Sequence, residues 1–208
     1  IESCSNAVVR LGMQTTHKLV MTFALKELYK TNSPLLNRRM KALWEHSTKV
    51  AAISHVLARK LGKFDPDHAL LAGLIHDIGV LAVLVYALEF PEAQSNKYVL
   101  DNVIKNLRGQ IGTMILRSWD FPDDLHLVPT DAENWTRSCD SPADYSDLVI
   151  IAQMHSFIGT DMMKSLPAID TVPAFKRLKL GQLTPTMSLK ILDEAKSEID
   201  DIRTLLSS

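Results

Sequence analysis

The sequence His76-Asp77-Ile78-Gly79 lies inside a long apolar run that extends from Leu70 to Leu88. A histidine and an aspartate side by side are costly to bury among leucines and isoleucines, because buried polar groups need hydrogen-bond or ionic partners. The pair therefore either hydrogen-bonds to other residues of the core or holds an ion. Any residue that takes part must come from elsewhere in the chain.

The composition predicts a helical globular protein. The chain has 208 residues, of which 46% are hydrophobic and only 8 are glycine. Apolar residues recur at spacings of three and four and seldom alternate, so we predict an all-α fold, a multi-helix bundle formed by a single domain over residues 1–208. Because the chain begins at Ile1 and not at a methionine, we expect further elements upstream of its N-terminal helical part, residues 1–40.

Charge and cysteine content narrow the class of function. The chain has 23 basic and 24 acidic residues and a formal net charge of −1, so we do not expect a nucleic-acid partner. Cys4 and Cys139 have no metal-binding spacing, and no secretory signal is evident. The longest uninterrupted apolar run, Val80–Leu88, is about half the length of a membrane span. These features predict a cytoplasmic protein without a membrane partner.

Helix start and stop signals divide the chain. Pro34 begins a helix that ends at Gly62, and Asp65-Pro66-Asp67 begins the next helix, which Gly79 ends or bends. Thr130–Asp144 is predicted to be an exposed loop. A C-terminal segment, residues 161–208, contains a loop and a final helix that packs on its own domain or serves a partner. Other helices are predicted within Ala7–Tyr29 (two, broken near Gly12), Leu100–Trp119, Leu148–Phe157 and from Thr184-Pro185 onward.

His46 is the residue best placed to reach the His76-Asp77 pair. It lies at the edge of the apolar face of its predicted helix, and the short turn from Gly62 to Asp65 can make that helix antiparallel to the next. Two imidazoles and a carboxylate form a nitrogen and oxygen set that suits Zn, Fe or Mn better than Ca. The alternative is that both histidines are hydrogen-bonded core residues and Asp77 pairs with one of them.

Two segments resemble a known family. Trp44-Glu45-His46-Ser47, followed about thirty residues later by Ala72–Gly79, is similar to the HD superfamily of metal-dependent phosphohydrolases. The similarity is greater to its HDOD branch, the HD-related output domain of bacterial signalling proteins. It implies an HD-domain-like helical bundle with its HD-like core in residues 41–160. The supporting segments are Asn6–Gly12, Ile111-Gly112, Trp119–Pro122, Pro173–Phe175 and Arg177-Leu178.

The resemblance also implies a ligand set. Working HD phosphohydrolases hold metal through a first His, the His-Asp pair and a later Asp, and the first three match His46, His76 and Asp77. The later Asp aligns with Gln153, a neutral and weaker ligand. Arg108 stands where many relatives have a further histidine, and an arginine cannot coordinate a cation. We therefore expect one weakly bound Fe, Mn or Zn, or none, in a pocket formed by Arg108 and Gln153. If Arg108 points inward, its guanidinium favours an anion such as phosphate there instead.

Such an altered ligand set predicts binding and not catalysis, because metal-dependent hydrolysis needs a preorganised shell of ligands around the ion. We expect a bacterial signal-transduction output module whose partner is a regulatory protein or a small phosphorylated signalling ligand. The alternative is a metal-dependent phosphohydrolase acting on nucleotides or cyclic dinucleotides, with metal held by His46, His76 and Asp77. The other histidines are expected at the surface or at helix ends: His17, His55, His68, His126 and His155.

Overall fold

The computed structural model describes residues 24–90, 92, 96–178, 193 and 196–207. In this part of the chain the protein is all-α and contains no strand, which confirms the predicted fold class. The α-helices of these residues are α1 (Pro34–Leu61), α2 (Pro66–Ile75), α3 (Ile78–Tyr86), α4 (Lys97–Ser118), α5 (Val128–Asp131), α6 (Tyr145–Ser156), α7 (Pro173–Arg177) and α8 (Lys196–Ser207). Short 3₁₀ segments occur at Ala87–Glu89, Asp123–Leu125, Asp161–Ser165 and Ile169–Thr171.

The ends of α1 and the start of α2 follow the local sequence signals. Gly62 closes α1 in the left-handed conformation, with φ of 64°, which a glycine adopts without a steric penalty. The Asp65 carboxylate caps α2 by accepting a hydrogen bond of 2.8 Å from the backbone N–H of His68. The intervening turn is therefore short, and it returns α2 along the side of α1.

The break between α2 and α3 lies at His76-Asp77, so the prediction that Gly79 ends or bends the helix was wrong. Asp77 has φ of −108° and ψ of 16°, outside the helical region, whereas Gly79 lies in the first turn of α3. Gly79 instead allows close packing of α3 against α4. A Cβ at Gly79 would lie 1.8 Å from the carbonyl oxygen of Arg108, so only a glycine permits this approach.

The core of the bundle lies around α2, α3 and α6. Every residue of α6 after Tyr145 is buried, and α6 packs against α1 and α2. By length and composition Pro66–Glu89 would be sufficient to span a membrane, but 72% of its apolar window is buried inside the protein. Its apolar side chains are therefore largely accounted for by the core, and length alone is weak evidence for a span.

The segments after α4 differ in part from the prediction. Thr130–Asp144 is not an exposed loop throughout, because Asp131 closes α5, Ala132 is fully buried and Arg137 is held by three carboxylates. The described part of the final helix, α8, packs on α1 through Ile199 and Ile202. Three predicted features lie outside the described residues: residues 7–23 of the predicted helical range Ala7–Tyr29, His17 within them, and the start of the final helix at residue 184.

The contact between α3 and α4 gives a test of the packing. Gly79→Ala is expected to lower the free energy of unfolding by at least about 2 kcal/mol, because the added Cβ must displace the backbone of α4. Gly62→Ala is the matched control: nothing lies within 4 Å of its Cβ position, and the positive φ alone costs about 1 kcal/mol. Urea unfolding measures both. Equal losses in the two variants would contradict the close approach of α3 and α4.

Candidate metal and ligand site

The structure brings His46, His76 and Asp77 together. His46 lies on α1, His76 caps the C-terminal end of α2, and Asp77 occupies the break before α3. The Nε2 atoms of the two histidines are 3.3 Å apart. The Oδ2 atom of Asp77 lies 3.3 Å from Nε2 of His76 and 3.9 Å from Nε2 of His46. His76 and Asp77 are buried, whereas the His46 side chain keeps 21% of its surface exposed.

Two contacts fix the orientation of the imidazoles. Nδ1 of His76 lies 2.6 Å from the backbone oxygen of Gly73, and because a carbonyl only accepts, this nitrogen carries the proton. The Nε2 lone pair is then directed at His46 and Asp77, the arrangement commonly found for metal-binding histidines. The ring of Phe157 stacks on His46 with 5.1 Å between centroids and 16° between planes. The residues are therefore held in position by the fold itself.

The separations of the three atoms fit a single metal ion. A point equidistant from atoms that are 3.3, 3.3 and 3.9 Å apart lies about 2.0 Å from each of them, which is a typical metal–nitrogen or metal–oxygen bond length. Among the residues that the structure describes, these three form the one group of His, Cys, Asp and Glu side chains close enough to hold an ion. The donor set, two imidazoles and one carboxylate, suits a transition metal.

The protonation states of the site also fit a cation. Burial, reinforced by the charges of neighbouring groups, lowers the pKa of His46 to about 4, so its imidazole is neutral near pH 7. Burial raises the pKa of Asp77, but the interactions with His76 and the positive charge of Arg108 outweigh this effect and the pKa is lowered overall. A neutral imidazole and an ionised carboxylate are the forms that bind metal.

Arg108 points into the site from α4. Its Nη2 atom lies 2.7 Å from Oδ1 of Asp77, and both side chains are about nine-tenths buried. The N–H bond is not aligned for a hydrogen bond, so the contact is chiefly an electrostatic pair. Its Nη1 atom forms a second ion pair with Glu133, whose side chain is 54% exposed. Arg108 therefore has the inward orientation that the predicted anion pocket requires. The carboxylate of Asp77 contacts Arg108 through Oδ1 and the two histidines through Oδ2.

Gln153 lies on α6 and is fully buried. Neither atom of its side-chain amide has a hydrogen-bond partner among the described residues, a condition that costs about 1–3 kcal/mol unless a water or ligand relieves it. Gln153 is one turn before Phe157, which stacks on His46, and Lys49 of α1 donates to the backbone oxygen of Ser156. Helical spacing thus places Gln153 on the face of α6 that meets α1 beside the cluster. Its role as a ligand stays a prediction.

Other titratable residues are engaged elsewhere. Asp147, fully buried six residues before Gln153, binds Arg137 and Arg177 and is not available to the cluster. His155 lies in the last turn of α6 but is buried, so only the expected helix-end position was correct. The remaining described histidines bind other groups: His55 the oxygen of Pro66, His68 the carboxylate of Asp124 and His126 the oxygen of Phe121.

Three residues that the structure relates to the site were not assigned to it from the sequence. Phe157 stacks on His46, Glu133 pairs with Arg108, and Tyr29 has a buried hydroxyl on which the charge of Asp77 acts. Burial is the main cause that raises the pKa of Tyr29, and the charge of Asp77 adds to it. The position of Phe157 one turn after Gln153 was a usable signal. Nothing in the spacing connects Glu133 or Tyr29 with the cluster, because they come from distant segments.

Comparison with known proteins identifies the family. The sequence profile of the HDOD domain matches residues 1–132, which include His46, His76, Asp77 and Arg108. The chain belongs to the HDOD family. The Gln153 position of this HDOD domain lies beyond the matched residues. No functionally curated protein matches the chain significantly.

Two solved structures resemble the HDOD chain. One is a candidate metal-dependent phosphohydrolase from Shewanella amazonensis SB2B, with 22% identity and a TM-score of 0.76 over 99% of this chain and 73% of that one. The other is an HDOD domain protein of unknown function from Geobacter sulfurreducens, with 20% identity and a TM-score of 0.63 over 100% of this chain and 75% of that one. At these identities the similarity establishes a shared fold.

Two histidines, the largely covered His46 and the buried His155, make the stability depend on pH. The pKa values of His46 and His155 are lowered to about 4, in both cases chiefly by burial, whereas the unfolded chain binds these protons near pH 6.5. The unfolded state therefore binds more protons between these values. The contribution of these two histidines to the free energy of unfolding is fully present above about pH 6.5. It decreases toward pH 4, by up to about 1.4 kcal/mol per pH unit for each histidine.

Urea unfolding of metal-free protein between about pH 7.5 and about pH 4.5 measures this slope. His155→Gln keeps a polar side chain of similar size without the titration, so the slope should decrease by up to half. A wild-type slope that His155→Gln leaves unchanged would contradict a buried neutral His155.

Proposed function

We propose that this HDOD domain is a regulatory output module of bacterial signal transduction that acts in the cytoplasm by binding and not by catalysis. The observation that carries this proposal is the contact between Arg108 and Asp77. Asp77 is the one anionic member of the cluster, and a buried guanidinium already neutralises part of its charge. A catalytic metal needs anionic ligands that attract the cation and hold it in place. Because Arg108 neutralises part of the charge of Asp77, the pairing favours weak metal binding.

His46, His76 and Asp77 would hold a single Fe, Mn or Zn ion, with Gln153 contributing at most a neutral amide oxygen. When bound, such an ion supplies a Lewis acid that can polarise an oxygen of a ligand or a water molecule. The chain's own residues orient the site: the backbone oxygen of Gly73 fixes the tautomer of His76, and the ring of Phe157 stacks on His46. Arg108 provides a permanent positive charge for an anion.

The proposed partners are a regulatory protein or a small phosphorylated signalling ligand. The near-balance of charge over the chain supports neither a nucleic acid nor an anionic membrane surface as a partner. A second candidate function is a metal-dependent phosphohydrolase acting on nucleotides or cyclic dinucleotides. The description of the Shewanella amazonensis protein and the fit of three donor atoms to one ion favour this alternative.

One preparation tests both functions. Elemental analysis of the purified protein is expected to show less than one equivalent of metal. Phosphodiesters and nucleotides with added Mn or Fe are expected to show no turnover. His68→Ala is the control for His76→Ala, because His68 binds Asp124 away from the cluster. Stoichiometric metal with turnover that is lost in His76→Ala, but kept in His68→Ala, would overturn the binding role in favour of hydrolysis.

Gln153 offers a direct test of the incomplete ligand set. Gln153→Asp is expected to raise the affinity for Mn by at least about tenfold, because it restores an anionic oxygen at this position. Gln153→Asn is the matched control, since it has the shape of aspartate without the charge. Isothermal titration of the metal-free proteins measures both affinities. If aspartate binds Mn no better than asparagine does, Gln153 does not face the metal position.

A further inference from the structure

A polar groove lies between α4 and the segment that begins at α5. Its volume is about 350 Å³, and we call it the Arg108 groove. One wall is formed by Lys105, Arg108 and Gln110 of α4, and the other by Thr130, Glu133 and Asn134. Arg108 is buried, and the other five side chains are solvent-exposed. Arg108 forms the inner end, so the groove connects solvent with the guanidinium that contacts Asp77.

The two ion pairs of Arg108 differ in their exposure. The pair with Asp77 is buried on both sides, with 10% and 8% of the side chains exposed. The pair with Glu133 joins the guanidinium to a side chain that is 54% exposed. A half-exposed pair contributes little to stability, because water competes for both partners. The Glu133 carboxylate can therefore leave Nη1 of Arg108 at low cost, while the Asp77 contact keeps the guanidinium in place.

A second cation faces the same groove. Lys105 is one turn before Arg108 on α4, and it forms no ion pair with a carboxylate in the described part of the chain. Gln110, Thr130 and Asn134 add neutral donors around the two cations. With Glu133 displaced, the walls carry two positive charges and no carboxylate. This arrangement matches a dianion with several acceptor oxygens better than a single carboxylate.

We propose that the Arg108 groove binds the phosphate group of a small phosphomonoester, and that the Glu133 carboxylate is an internal occupant that the phosphate displaces. The phosphate meets Nη1 of Arg108, the nitrogen that is not in contact with Asp77, and Lys105 neutralises its second charge. The polar side chains nearer the solvent contact the rest of the ligand. The inference rests on the proposed role in binding a phosphorylated ligand and gives that ligand a location.

The test is isothermal titration of the full chain in EDTA with adenosine 5′-monophosphate, and with adenosine as the probe that lacks the phosphate. The wild-type protein is expected to bind the monophosphate more tightly than adenosine. Glu133→Gln removes the competing charge and should tighten monophosphate binding by about two- to fivefold, the equivalent of a half-exposed ion pair. Lys105→Gln should weaken it by a similar factor of about two to five.

Asp161→Asn is the charge-matched control for Glu133→Gln, since Asp161 is exposed and does not line the groove. It should leave the affinity unchanged. The proposal is overturned if the monophosphate does not bind, if adenosine binds equally well, or if Glu133→Gln and Asp161→Asn have the same effect. Because the titration uses metal-free protein and measures no turnover, its result is independent of whether the domain proves to be a phosphohydrolase.

Discussion

The buried carboxylate of Asp77 is the point on which the site depends. A charge at this depth must be paired, and its two oxygens are paired differently: Oδ2 faces the imidazoles of His46 and His76, and Oδ1 faces the guanidinium of Arg108. Helices α1, α2 and α4 therefore converge on one residue. The close approach at Gly79 makes this possible, because it brings the backbone of α3 against Arg108.

Asp77 cannot give its full charge to a metal and to Arg108 at the same time. The geometry of three donor atoms around one position is retained, while the electrostatics are shifted toward anions. Arg108 links the two regions, since one nitrogen contacts Asp77 inside the bundle and the other contacts Glu133 in the Arg108 groove. The proposed binding role follows from this division of a single guanidinium between core and surface.

Much of the fold and part of the site could be predicted. Pro34 at the first helical position and Gly62 at the C-terminal end gave the boundaries of α1, and the Asp65 cap gave the start of α2, because these effects are local. The break at His76-Asp77 was misplaced to Gly79, since the apolar pattern continues through it and a glycine is the more usual stop signal. The contact that explains Gly79 comes from α4, about thirty residues away, and no local pattern carries that information.

The sequence by itself determined the helical class, the cap positions and the candidate ligands His46, His76 and Asp77, because periodicity, capping and residue chemistry act over a few residues. Only the tertiary structure decided that Arg108 contacts Asp77, that Glu133 contacts Arg108, and that Asp147 is engaged by two arginines. The physical reason is that ion pairs between distant segments depend on how the helices pack. From the sequence alone, each of these charged side chains could equally well lie in solvent.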